Sequence, residues 1–128
     1  MYLVEHLGLL IVNMKNTGLK NRFPDSVKQA WMFWYSCLVC GKNNWDALHH
    51  IISPTVRFYK HGSFNRSTLN SCPIHNHGCH LYNEARLHDD KYIKWLLKEA
   101  YLILVNRLDY ELKPVDKKFL SVYNKLYE

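Results

Sequence analysis

The chain has 128 residues, of which 48% are hydrophobic, which is enough for one small domain with a buried core. Its 17 basic and 11 acidic residues give a net charge of +6, which is compatible with a nucleic acid partner and equally with ordinary solubility. Because no apolar run is long enough to span a membrane and no secretory signal is recognisable, we expect a cytoplasmic protein with reduced cysteines and no membrane contact.

The N-terminal part of the chain is predicted to be an extension, over residues 1–36. Residues 1–14 are apolar and fit either a strand or a helix, and residues 15–22 form a polar, basic loop. Capping residues at 24–26 can begin a helix. The aromatic stretch 31–35 is predicted to pack in the core over a metal-binding module, rather than to stack on bases.

A C-x2-C motif follows at Cys37 and Cys40. This spacing lets both thiolates bind one tetrahedral ion, and Gly41 permits the tight turn that a zinc knuckle needs. A single C-x2-C motif could also be a redox pair. No βαβ pattern of the thioredoxin type surrounds it, which favours the metal site.

Residues 45–52 are rich in aromatic and β-branched residues and are predicted to form a strand. Neighbouring side chains of a strand point to opposite faces, so His49 and His50 can have different roles. One would face a metal ion and the other a substrate. The alternative is one surface histidine and one core histidine, but the histidines further along the chain favour the first interpretation.

The richest cluster of candidate ligands lies between residues 70 and 88. A polar loop is predicted over 53–67, a second strand over 67–74 and a helix over 79–88. On that helix His80 and Glu84 would be four residues apart and share a face, with Asn83 as an alternative partner of His80.

The C-terminal part of the chain is predicted to be helical over 91–108 and 114–127. An apolar stripe runs along the first helix, and Pro114 is at the favoured first turn of the second. Neither helix carries residues of evident chemistry, so both are expected to be scaffold or a partner surface.

The order L-H-H-I, then N-x2-P-I-H-x3-C-H, resembles the HNH endonuclease family, and in particular its zinc-stabilised phage and bacterial members. The resemblance covers residues 37–88, less than half of the chain. It implies an α+β fold with a small ββα-metal module and a structural zinc. It also implies a phage or mobile-element origin.

The resemblance also implies site residues. His49 and His80 would bind a catalytic divalent ion (Mg²⁺, Mn²⁺ or Ni²⁺). His50 would be the general base that activates water, and Asn70 would orient that base or touch the metal. Glu84 stands where some members have a further histidine, which makes it the third candidate ligand, with Asn83 as its alternative.

A structural zinc (Zn²⁺) would be bound by Cys37, Cys40 and Cys79. In the family register His75 is its fourth ligand, although members usually have Cys there, and Cys72 is the alternative. The spacing H-x3-C also differs from the usual C-x2-C. His77 and His88 are not expected to be ligands.

We therefore expect one domain over residues 1–128, with the HNH core at 37–88 and C-terminal helices at 91–128. The expected function is hydrolysis of phosphodiester bonds in DNA by an HNH-type endonuclease. The alternatives are a non-catalytic, zinc-stabilised module that binds DNA or protein, and a redox-responsive C-x2-C protein. The target sequence, the preference between DNA and RNA, and the oligomeric state do not follow from the sequence.

Overall fold

A computed structural model describes residues 23–53, 59–81 and 84–128. The predictions for residues 1–14 and 15–22 therefore lie outside the described residues. The described part combines helices with one small antiparallel sheet, which is the α+β composition expected from the sequence. None of its helices has the length and apolar character needed to cross a bilayer.

Four α-helices and two strands can be described. They are α1 Asp25–Ala30, β1 Ala47–His50, β2 Ser71–Ile74, α2 Glu84–Leu87, α3 Asp90–Leu102 and α4 Pro114–Tyr123. Short 3-10 turns occupy Ser63–Arg66, Thr68–Asn70 and Asn124–Tyr127, and π-helical turns occupy Asn76–His80 and Ile103–Arg107.

The sheet pairs β1 with β2, so that His49 lies opposite Cys72 and His50 lies opposite Ser71. Both strands are shorter than predicted. The first half of the predicted second strand is a 3-10 turn, because the Ser67 side chain accepts a hydrogen bond from the backbone N–H of Leu69 and caps that turn. This turn ends at Asn70, and β2 begins at the next residue, Ser71.

The single helix predicted over 79–88 is wrong for the described residues. His80 ends a π-helical turn, and Glu84 begins the separate helix α2, with residues 82–83 between them outside the description. The π-helical turn forms because the carbonyl of His75 accepts from the N–H groups of both Cys79 and His80. The carboxylate of Asp46 accepts from the first N–H of the same turn.

The C-terminal helices follow the predicted pattern closely. Helix α3 continues into the π-helical turn Ile103–Arg107, and the left-handed backbone of Asp109 follows, with φ of 52°. Pro114 is in the first turn of α4, as predicted. The apolar stripe of α3 is buried, including Ile93, Leu96 and Leu97.

The aromatic stretch after α1 is only partly in the core. Trp31 is fully buried, and its indole N–H donates to the Ser71 hydroxyl at 2.6 Å, which ties α1 to β2. Trp34 is half-buried and packs against the core. Phe33 is 61% exposed, so the prediction of a core stretch is wrong at this residue.

Candidate functional site: a cysteine–histidine cluster and a histidine pair

Three cysteines and a histidine converge at one end of the sheet. Ligand atoms of Cys37, Cys40, His75 and Cys79 all lie within 4.8 Å of one another, so this cluster could hold a metal ion such as zinc. The two cysteines of the C-x2-C motif approach each other because a tight turn closes with the N–H of Gly41 donating to the carbonyl of Cys37. Gly41 has φ of 76°, a conformation that favours glycine.

His75 is oriented for a role as ligand by its own hydrogen bond. Its Nε2 lies 2.9 Å from the backbone carbonyl oxygen of Asn43. A carbonyl only accepts, so in the neutral ring Nε2 carries the proton and Nδ1 has the lone pair. That Nδ1 faces the cluster, 3.4 Å from Cys40 Sγ and 4.0 Å from Cys79 Sγ.

The thiol of Cys40 is close to ionisation at neutral pH. Burial alone would raise its pKa, but hydrogen bonds from the backbone of Lys42 and from Cys37 and Cys79 lower the pKa to about 7. Thiolates, not thiols, bind metal ions, so this environment suits a ligand.

Cys72 is not one of the four residues of the cluster, although the charges of Cys37 and Cys79 lie near enough to affect it. It is fully buried on β2, and its Sγ lies 3.7 Å from the carbonyl oxygen of Pro73. Burial raises the pKa of Cys72 well above its ordinary value, so its thiol stays protonated. The structure therefore brings together the ligand set that includes His75 and leaves out the alternative that includes Cys72.

A second cluster is formed by His49 and His80, the latter being the residue after Cys79. The rings of His49 and His80 meet edge to face, with centroids 5.0 Å apart. His49 Nε2 and His80 Nδ1 are buried, and neither has a hydrogen-bond partner. A buried polar atom without a partner costs about 1–3 kcal/mol, so two of them side by side fit a site that a bound group would complete.

The electrostatics of His49 also fit a ligand of a cation. Burial, with smaller contributions from the neighbouring histidines His80, His50 and His88, lowers the pKa of His49 to about 3. The imidazole is therefore neutral over the physiological range and offers a lone pair. Neutral imidazole is a common ligand of divalent metals, so a divalent cation is the group that this donor set would accept.

His50 points to the other face of β1, as the strand alternation predicts. Its ring stacks on Phe23, with centroids 3.9 Å apart and planes inclined by 17°. Burial, and then the charge of Arg66, lowers the pKa of His50 to about 4. The ring is therefore unprotonated at neutral pH, but a pKa this far below the operating pH makes it a weaker base than an ordinary histidine.

Asn70 does not hydrogen-bond to the ring of His50, although the HNH resemblance implied that it would orient this base. Its fully buried amide group accepts from the N–H of Ile52 and donates to the carbonyls of Ile52 and Asn65, at 2.8, 3.1 and 2.8 Å. It therefore acts on the backbone that follows His50. This role was not evident from the motif, because an asparagine reveals its partners only once the loops are placed.

The other candidate residues either are not part of the cysteine cluster or fall outside the described residues. The side chain of Glu84 and the whole of Asn83 are outside the described residues. His77 and His88 are exposed and do not belong to the cysteine cluster. The contributions of Asn43 and of Phe23 were missed, because nothing in their sequence context marks a backbone carbonyl or a stacking partner.

No family model, no curated protein and no solved structure matches the chain. The geometry of the two clusters and the motif order between residues 37 and 88 are therefore the grounds for assigning a function.

Proposed function

We propose that this chain is a metal-dependent DNA endonuclease of the HNH type, which hydrolyses phosphodiester bonds on a ββα-metal frame. The observation that supports it most directly is the pair of buried, partnerless nitrogens on His49 and His80, next to the strand that carries His50. A scaffold histidine pair would instead be expected to satisfy these nitrogens with protein hydrogen bonds.

Each residue of this site has a proposed task. His49 and His80 hold a divalent ion, Mg²⁺, Mn²⁺ or Ni²⁺, with Glu84 as the third ligand. When bound, such an ion supplies positive charge for the scissile phosphate and the leaving oxygen. His50, neutral at pH 7, takes the proton from the attacking water. Asn70 fixes the backbone that follows His50.

The cysteine cluster is proposed to hold a structural zinc. Its ligands come from the turn before β1 and from the turn that carries Cys79 and His80. Zinc there would fix the position of His80 relative to β1. A zinc site made of reduced thiols and a DNA substrate would both be compatible with a cytoplasmic reaction, in a bacterial host if the gene belongs to a phage.

A second candidate is a zinc-stabilised, non-catalytic module that binds DNA or protein. One observation favours it. Among the described residues, the cysteine cluster is the one group with three or more ligands close enough to bind a metal. His49 and His80 form only a pair. The two proposals differ in whether phosphodiester cleavage occurs.

The test is nicking of supercoiled plasmid by the purified protein with Mg²⁺, Mn²⁺ or Ni²⁺, each with and without EDTA. An endonuclease converts supercoiled DNA to the open circle. Because EDTA also removes the structural zinc, activity after chelation should return when zinc and one of these ions are added back together, but not with zinc alone. His77→Ala, at an exposed histidine outside both clusters, is the matched control and should nick like the wild type. DNA binding without nicking under every ion would favour the non-catalytic module.

A further inference from the structure

A buried carboxylate in the C-terminal helix α4 makes contacts outside that helix. Asp116 is fully buried, although aspartate is rarely so unless it is paired. One of its oxygens accepts from the Ser67 hydroxyl at 2.6 Å. The other accepts from the Tyr110 hydroxyl and from the N–H of Lys113, the residue that precedes α4.

Ser67 connects Asp116 to the loop between the two strands by hydrogen bonds. It is also fully buried, and its Oγ accepts from the N–H of Leu69 at 3.0 Å while it donates to Asp116. The carbonyl of Ser67 accepts from the N–H of Asn70. The hydroxyl therefore fixes a 3-10 turn that ends at Asn70.

Asn70 completes the connection to β1. Its side chain makes both an acceptor and a donor bond to the backbone of Ile52, and its carbonyl accepts from the N–H of Ile51. These two residues directly follow His50. The next residue after Asn70, Ser71, pairs with His50 across the sheet. His50 is thus held from its C-terminal side and from the neighbouring strand by the same turn.

We propose that Asp116, Ser67 and Asn70 form a buried brace through which helix α4 positions His50 for the reaction. This inference rests on the proposed nuclease function and adds Asp116 and Ser67 to it as positioning residues. Neither residue touches substrate. They act through Asn70 on the backbone that carries the base, so α4 belongs to the catalytic apparatus and is not only scaffold or a partner surface.

The hydrogen bonds of the brace explain why it would hold the turn in one position. Buried, charge-assisted hydrogen bonds are short and directional, so the Ser67 hydroxyl has one favourable orientation. Without it, a buried carboxylate oxygen and the N–H of Leu69 both lose their partner. The turn then has alternative positions, and misplacing a catalytic group by about 1 Å can lower a rate by about 100-fold.

The test compares Ser67→Ala with Ile103→Val. The first removes the hydroxyl of the brace. The second removes one buried methylene from the π-helical turn that follows α3 and changes no hydrogen bond of the brace. Ser67→Ala leaves two buried polar groups without a partner and should cost more stability than Ile103→Val, so both variants are assayed at a temperature at which circular dichroism shows them fully folded. The assays are plasmid nicking, with kcat and KM measured separately, and amide hydrogen exchange at Ile52 in the zinc-loaded protein.

We expect Ser67→Ala to lower kcat by about 10- to 100-fold with little change in KM. The Ile52 amide should exchange faster in the same variant. Ile103→Val should keep the kcat and the Ile52 protection of the wild type. If Ser67→Ala does not fold, Ser67→Cys takes its place, because a thiol is a weaker donor of similar shape.

Two results would overturn the brace. One is an unchanged kcat and unchanged Ile52 exchange in the Ser67 variant. The other is an equal fall of kcat in both variants, because stability alone would then explain it. A wild-type protein without nicking would refute the nuclease function and with it the catalytic role of the brace. Failure of the brace alone differs from this, since the wild type would still cleave DNA.

Discussion

The rings of His49 and His80 lie edge to face, with centroids 5.0 Å apart, although one belongs to strand β1 and the other to a π-helical turn. The contact arises because β1 and β2 pair directly and the turn follows β2 after one residue, His75. Two buried nitrogens are left without hydrogen bonds at this contact. The proposed catalytic site depends on this relationship.

Replacing His80 by alanine should remove one ligand of the catalytic ion. We expect Mn²⁺ or Ni²⁺ affinity to fall at least tenfold and nicking to be lost, while the zinc content stays at the wild-type value. Titration calorimetry on the zinc-loaded protein measures this. His77→Ala is the control, because His77 is exposed and lies in the same turn. Unchanged ion affinity in His80→Ala would contradict the assignment.

Replacing His50 by alanine should abolish cleavage and leave the fold and DNA binding intact. Loss of a general base typically lowers a rate by about 10²–10⁴-fold. The readouts are nicking, DNA affinity by anisotropy, and circular dichroism. Near-wild-type nicking by this variant would remove His50 from the mechanism.

The pH dependence of stability should reveal the buried, neutral state of His50. Its folded pKa of about 4 lies below the ordinary value of 6.5, so below pH 6.5 the unfolded chain binds more protons than the folded one. The stability that wild type gains from this histidine is therefore present above pH 6.5 and is lost as the pH falls toward 4.

The measurement is urea unfolding of wild type and His50→Gln between pH 4 and 8, without added divalent ions. The difference in unfolding free energy between the two proteins isolates this histidine from other groups, such as the cysteine cluster, that also titrate with acid. As the pH falls, the wild type should lose unfolding free energy relative to His50→Gln. A difference that is independent of pH would show that His50 has an ordinary pKa in the folded protein.

The cysteine cluster should contain about one tightly held zinc per chain, the stoichiometry of one tetrahedral site. Binding of a structural zinc is itself folding free energy, roughly 10 kcal/mol or more in small zinc modules. Cys40→Ser should therefore give unfolded or insoluble protein rather than a folded, inactive one. A well-folded wild-type protein that contains no zinc would refute this site.

The fourth zinc ligand can be tested separately by elemental analysis of two variants. His75→Ala should lose zinc, because Nδ1 of His75 faces Cys40 and Cys79. Cys72→Ser should retain it, because the Cys72 thiol is directed at the carbonyl of Pro73. The reverse pattern would assign Cys72 as the ligand.

Several features were predictable from the sequence because they depend on local spacing. The alternation of a strand separates His49 from His50 whatever the fold around them. The apolar stripe of α3 and Pro114 at the start of α4 follow from helical periodicity and from the fixed φ of proline. The C-x2-C spacing likewise predicts that Cys37 and Cys40 can share an ion.

Only the tertiary structure decided which distant groups meet. The sequence left His75 and Cys72 open as alternatives, and the choice depends on where β2 ends and on the carbonyl of Asn43. The amide of Asn70 could have faced His50 but bonds to the backbone of Ile52 instead. Locally, Asp116 is marked only as the acid in the first turn of α4, because its partner Ser67 comes from a distant loop. Spacing fixes the direction of a side chain relative to its neighbours, whereas a hydrogen bond between distant residues exists only after the chain has folded.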